Sequence, residues 1–270
     1  MSRKVKLALA QLTPKDGDLE YNLSKAMDCI DQAAVQGVDI IVFSELYYCG
    51  YNGNREKIRS YAEPKDGKLF QILSKKAKEK KIHIIMGYPE KNLHSNRCYI
   101  SQMFVDDEGK LIGNHQKTFR WTDDFGRVSP GDDFPVIDTK FGKIGLLICY
   151  EIEAPEPARI EALKGAELLI SISAFTMASI HERDLQALAI QNLVYVAGVN
   201  QFTDSCPGNS AVIDQYGEVL ARASTTSEAL LIQEIDLDVD RRESYPAFDD
   251  FVNEFSPIAY KRYSEAIEKL

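Results

Sequence analysis

Short apolar runs alternate along this chain with longer stretches whose apolar residues fall at helical spacing, and that rhythm restricts it to an α/β layered fold. KVKLALAQL (4–12) reads as a strand, followed by a helix over about 22–36 with Leu23, Ala26, Met27, Ile30, Ala33 and Ala34 on one face and Gly37 as its stop. VDIIVFSEL (38–46) is a buried strand, the spacing of Leu69, Phe70, Ile72, Leu73 and Ala77 predicts a helix over 67–81, and IHIIMGY (82–88) is the next strand. In the second half a strand ends at Cys149, a helix covers 157–164, and ELLISIS (167–173) is a strand. A helix over 178–192 presents Ile180, Leu185, Leu188 and Ala189 inward, and strands over 194–200 and 229–237 follow. Two hairpins, 98–117 around Asp106–Asp107–Glu108–Gly109 and 209–222 around Tyr216–Gly217, interrupt the βα rhythm, so the sheet is expected to be mixed. No repeat or linker divides the 270 residues, which predicts a single domain over 1–270. After Val239 the chain turns polar and aromatic; this tail, 240–270, with a short helix over 261–270, is expected to pack on a partner subunit.

Composition narrows the classes of function. A 44% hydrophobic and 27% charged chain is ordinary for a globular protein, and no apolar run approaches the roughly 20 residues that span a bilayer. The run after Arg3, Lys4 and Lys6 is too short for a secretory signal, so a cytoplasmic location without membrane attachment is the expectation. Net charge is −9 with basic residues dispersed among acids, which argues against a nucleic-acid surface; KKAKEKK (75–81) reads as a solvated helix face. Five cysteines without CxxC spacing argue against a disulfide framework, and the four histidines show no paired-ligand spacing, so neither a metal nor another cofactor is expected.

The densest chemistry lies in FGKIGLLICYEIEAPEPAR (141–159), where an apolar run ends at Cys149 before an acidic, proline-punctuated segment. Buried filler, redox thiol and nucleophile are the roles open to that cysteine. A free thiol near pKa 8.5 needs an activator at neutral pH, and no histidine offers itself. His83 sits in an apolar strand as a core residue, His94 lies in a loop, and His181 falls on a helix among charged residues. His115 precedes Lys117 by two positions on a strand and shares its side. A buried carboxylate can take a thiol proton and an ammonium can hold a developing oxyanion. Glu45 and Lys117 stand at strand ends where they could meet Cys149, although charges at strand ends often do no more than meet solvent.

FSELYYCGY (43–51), HQKTF (115–119) and GLLICYEIEAPEPAR (145–159) resemble the signature segments of the nitrilase superfamily of carbon–nitrogen hydrolases. PGDDFPV (130–136), GAELLISISAF (165–175), AIQNLVYVAGVNQ (189–201) and GNSAVIDQYGEVLA (208–221) extend the resemblance in the family's order over about residues 4–240. The resemblance implies a four-layer αββα sandwich and a Glu–Lys–Cys triad. Glu45 would be the general base, Lys117 the cation for the tetrahedral intermediate, Cys149 the nucleophile and the Tyr150 backbone N–H an oxyanion donor. Many members carry a second glutamate six residues before the proline of the PGD segment; here that position holds Asp124, one methylene shorter. Trp121 and the loop from Arg120 to Arg127 would shape the substrate pocket, with Tyr51 and Phe175. True nitrilases usually place Trp after the cysteine, so Tyr150 aligns the chain with the amidase and carbamoylase branch. The implied activity is release of ammonia from a small amide through a Cys149 thioester, with water as co-substrate. N-carbamoyl compounds and ω-amides of dicarboxylic acids are the alternative substrates, and an inactive binding protein or a thiol sensor the rival classes. Family members commonly assemble as homodimers or larger.

Overall fold

The computed structural model describes residues 3–238 and 256–268. Among the described residues, twelve strands form two six-stranded sheets. The first contains β1 (Lys4–Gln11), β2 (Ile40–Phe43), β3 (His83–Lys91), β4 (Cys98–Val105), β5 (Leu111–Gln116) and, at its far edge, β12 (Ala229–Asp236). The second runs from β6 (Val136–Asp138) through β7 (Lys143–Ile148), β8 (Leu168–Ser173), β9 (Tyr195–Asn200) and β10 (Ala211–Ile213) to β11 (Val219–Arg222). In each sheet the three central βα-connected strands are parallel, β1–β2–β3 and β7–β8–β9, and the hairpin strands attach antiparallel. The mixed sheets expected from the two hairpins are present, with β12 leaving the second half of the chain to pair with β1 along its full length.

Strand alternation builds the layers. Val5, Leu7 and Leu9 of β1 with Ile40 and Val42 of β2 join one buried cluster, while Ala8, Ala10, Ile41 and Phe43 join another. The second cluster takes in Ala26, Ile30 and Ala33 of α1 (Leu19–Val35) and Leu69, Leu73 and Ala77 of α3 (Lys68–Lys80), so these two helices cover that face of the first sheet. The other face meets the second sheet: Gln102 of β4 donates to the Ile170 carbonyl of β8 at 3.5 Å. On the outer side of the second sheet, Glu161 of α4 (Pro155–Leu163) lies against Gly145 of β7, and Leu185 of α5 (Ala178–Asn192) against Gly198 of β9. The result is an αββα sandwich.

Two local expectations are corrected and one helix is added. The short helix α2 (Arg55–Ser60) was not legible, because Ile58 is its only buried residue and capping by Asn54 its main signal. The strand drawn over 38–46 ends at Phe43, and residues 45–49 form a turn. On α5, Ile180 packs partly buried against the core as expected, but His181 beside it, read as lying among charged residues, is fully buried, with its ring 5.4 Å from that of Phe175. Of the C-terminal tail, residues 239–255 and 269–270 lie outside the described residues; the last described helix, α6 (Ser256–Ile267), begins earlier than expected and reaches α4 through a hydrogen bond from the Tyr263 hydroxyl to Glu156 at 3.0 Å. Among the described residues no helix is long and apolar enough to cross a membrane.

Candidate active site

Glu45, Lys117 and Cys149 each follow a strand by one or two residues: β2 ends at Phe43, β5 at Gln116 and β7 at Ile148. Because the sheets pack face to face, these ends meet in one place. Cys149 opens a 3-10 turn, Cys149–Ile152, with φ at 49°, and Leu46 beside Glu45 also has φ at 49°. A left-handed backbone at two non-glycine residues is costly and persists where the surroundings enforce it. Part of that enforcement comes from glycines that admit backbone. A Cβ at Gly87 would stand 2.3 Å from the Ser44 carbonyl oxygen and 2.8 Å from Glu45 Cα, so only glycine lets β3 lie against the Glu45 turn. Gly131 of the PGD segment meets β5 the same way: its Cβ would fall 2.0 Å from the Gln116 oxygen, and its N–H donates to the Lys117 carbonyl at 2.8 Å.

Lys117 is fully buried between two fully buried carboxylates, with its Nζ donating to Glu45 Oε1 and Asp124 Oδ2, each at 2.8 Å. Asp124 also accepts from the Trp121 N–H at 2.9 Å and the Tyr51 hydroxyl at 3.3 Å. The shorter aspartate thus reaches the lysine because its loop closes in a 3-10 turn, Thr122–Asp124. The second carboxylate oxygen of Glu45 accepts the Ala174 N–H at 3.1 Å, and the Gln201 side chain donates to the Glu45 carbonyl at 2.6 Å. The Cys149 thiol lies beside the Glu45 carboxylate and the Lys117 ammonium, close enough for their charges to act on it.

This placement sets the protonation states. Burial, joined by the Asp124 charge and opposed by Lys117, lifts the Glu45 carboxyl above its ordinary range. Burial, together with the Glu45 charge, pushes the Cys149 thiol well above its usual value. Burial acts to lower the Lys117 ammonium, but the charges of Glu45, Cys149 and Asp124 outweigh it and hold it protonated. The resting site is therefore a neutral thiol beside a carboxylate of raised basicity and a fixed cation.

One residue that sequence reasoning did not single out ties the site together. Glu151, fully buried in the turn after Cys149, accepts from the Ile148 N–H at 2.7 Å, the Thr118 N–H at 2.6 Å and the Thr118 hydroxyl at 2.7 Å, and its Oε2 lies 2.8 Å from His115 Nε2. It fastens the cysteine turn to the strand end that carries Lys117. Although burial alone would raise it, the contacts with His115 and Thr118 hold its carboxyl below the usual range. The visible signal was a glutamate two residues after the cysteine, the first of the acidic segment that follows the apolar run. His83, read as a core histidine, is buried between the rings of Phe104 and Phe141.

Cys149 is 7% exposed and opens onto a cleft of roughly 500 Å³, part of it solvent. Tyr51, Trp121, Tyr150 and Phe175 form aromatic walls, with Asp123 and Glu153 among the other lining residues. Tyr150 sits in the first turn after the cysteine, where backbone N–H groups have no partner within the turn. Arg120 and Arg127 do not line the cleft: Arg120 donates to the Val128 carbonyl at 3.1 Å and stacks 4.5 Å from the Phe125 ring, and Arg127 donates to the Tyr51 carbonyl at 2.8 Å.

Comparison with known proteins identifies the family. The carbon–nitrogen hydrolase family model matches residues 6–242. An (R)-stereoselective amidase from Pseudomonas sp. is 32% identical over 241 residues, covering 87% of this chain and 86% of the amidase. An omega-amidase from Xenopus laevis is 34% identical over 265 residues, covering 90% and 93%. The crystal structure of Nit3 from Saccharomyces cerevisiae, a member of branch 10 of the nitrilase superfamily, superposes with a TM-score of 0.83 at 30% identity, covering 90% of this chain and 94% of that one. The chain belongs to the carbon–nitrogen hydrolase family, within the nitrilase superfamily.

Proposed function

We propose that this protein hydrolyses the C–N bond of a small amide through a thioester on Cys149. The observation that carries the reading is the buried contact of Glu45 with both the Cys149 thiol and the Lys117 ammonium at the floor of an open cleft. The Cys149 sulfur attacks the amide carbon while its proton passes to Glu45. The oxygen of the resulting tetrahedral adduct takes the negative charge beside Lys117 and the Tyr150 N–H. Glu45 returns the proton to the departing nitrogen, ammonia leaves, and an acyl thioester remains. Water then enters, Glu45 removes its proton, and hydroxide adds to the thioester carbon. The C–S bond breaks, the sulfur recovers the proton from Glu45, and a carboxylic acid is released. Asp124 keeps Lys117 charged and in place through both halves.

Support for amides over nitriles comes from Tyr150 after the nucleophile and from the amidase relatives. The test is ammonia release from a panel of amides, ureido compounds and nitriles, in which amides are expected to lead. Release from none of the three classes by folded protein would favour the rival reading of an inactive binding protein.

The same reading places the enzyme in the cytoplasm as one domain that assembles into a homodimer or larger. Exposed Ile258, Tyr260, Tyr263 and Ile267 on α6 support the packing of the tail on a second copy. Light scattering on eluted protein is expected to return at least the dimer mass, and a monomer alone would contradict it.

A further inference from the structure

The cleft over Cys149 carries two carboxylates, Asp123 and Glu153, and no lysine or arginine among its lining residues. Neither acid forms a salt bridge with a described residue. Asp184, on α5, lies near enough to Glu153 for their charges to interact, and its Oδ2 is buried with no hydrogen-bond partner among the described residues. Both arginines of the neighbouring loop are engaged elsewhere, on the Val128 and Tyr51 carbonyls. The rest of the wall is aromatic, with Trp121 and Tyr150 edge to face at 5.1 Å. Carboxylates with no ion-pair partner among the described residues, set beside aromatic faces, are the chemistry that recognises an ammonium group, by charge and by cation–π attraction. The same wall repels a carboxylate, since like charges brought together in a partly desolvated cleft are strongly disfavoured.

We propose that the substrate is an amide bearing a cationic amine, held by Asp123 and Glu153 against Trp121 and Tyr150 while its carbonyl faces Cys149. This deepens the amide-hydrolase reading and rests on it. It separates the protein from enzymes that act on monoamides of dicarboxylic acids, whose distal group has the opposite charge.

Three near-isosteric amides that differ in the charge at their far end test this: 4-aminobutanamide, pentanamide and succinamate. Ammonia release should show kcat/KM about tenfold higher for 4-aminobutanamide than for pentanamide, and succinamate lower still by about another tenfold. Raising ionic strength should narrow the first gap in the unmodified protein, because the attraction is screened. Glu153→Gln and Asp123→Asn should each reduce the ratio of the cationic to the neutral substrate several-fold, and the double variant should bring it near one. Equal rates for the cationic and neutral amides, or a preference for succinamate, would overturn the proposal and leave the thioester chemistry standing. Ammonia from none of the three would instead remove the amide-hydrolase reading, and this proposal with it.

Discussion

The Lys117 ammonium lies 2.8 Å from the Glu45 carboxylate, both side chains fully buried, and Asp124 holds the same ammonium from another direction at 2.8 Å. Removing the cation leaves two carboxylates facing each other out of water. Breaking a buried pair in this way costs about 3–5 kcal/mol. Lys117→Ala should therefore abolish turnover and also lower the melting temperature by on the order of 10 °C. Thermal unfolding followed by circular dichroism checks this. An unchanged melting temperature would mean that the lysine is not the counter-charge the site depends on.

The raised Glu45 carboxyl makes a signed prediction for pH dependence. The base must be ionised to accept the thiol proton, so activity is present above its folded-state pKa and lost as pH falls through it. Burial moves that pKa upward, and the acid limb of kcat/KM should have its midpoint above the roughly 4.3 of a free glutamate. The Cys149 thiol and the Lys117 ammonium are both held protonated well into alkaline pH, so neither should add a limb near neutrality. Glu45→Gln should reduce kcat by about 10³-fold and erase the acid limb from what remains. An acid midpoint at or below 4.3 would count against Glu45 as the base.

Glu151 hydrogen-bonds to neither Lys117 nor the Cys149 sulfur, yet it joins their two strand ends. In Glu151→Gln the amide nitrogen would confront a backbone N–H donor in either orientation, that of Thr118 or that of Ile148. Loss of the clamp should lower kcat by about 10²-fold, as misplacement of reacting groups by about an ångström does, with KM changed little. Glu151→Asp should recover part of the loss, since it restores the charge but not the reach. A variant with unchanged kcat would reduce Glu151 to a packing residue.

Most of the layering was legible because it follows from local pattern. Alternation of Val5, Leu7 and Leu9 against Ala8 and Ala10 already defines two buried faces of one strand, and the 98–117 and 209–222 hairpins already require mixed sheets. The triad residues were legible as charges and a thiol at strand ends, but their convergence was not, since strand order is a long-range property. The reach of Asp124 depends on a turn fixed by its own contact with the Trp121 N–H, which spacing does not reveal. Glu151 and the burial of His181 were missed for one reason: in a sequence, a buried polar side chain reads as a solvated one until its surroundings are in view, His115 and Thr118 for Glu151 and the Phe175 ring for His181.

The central claim is the covalent step at Cys149, and intact-protein mass spectrometry of samples quenched during steady turnover of an amide tests it most directly. The account predicts a mass increase equal to the acyl group of the substrate, located by peptide mapping to the Cys149 segment. The adduct should be absent in Cys149→Ala, a substitution that should abolish ammonia release and leave the fold intact. Ammonia release by Cys149→Ala, or an adduct on another residue of the active wild-type protein, would contradict it.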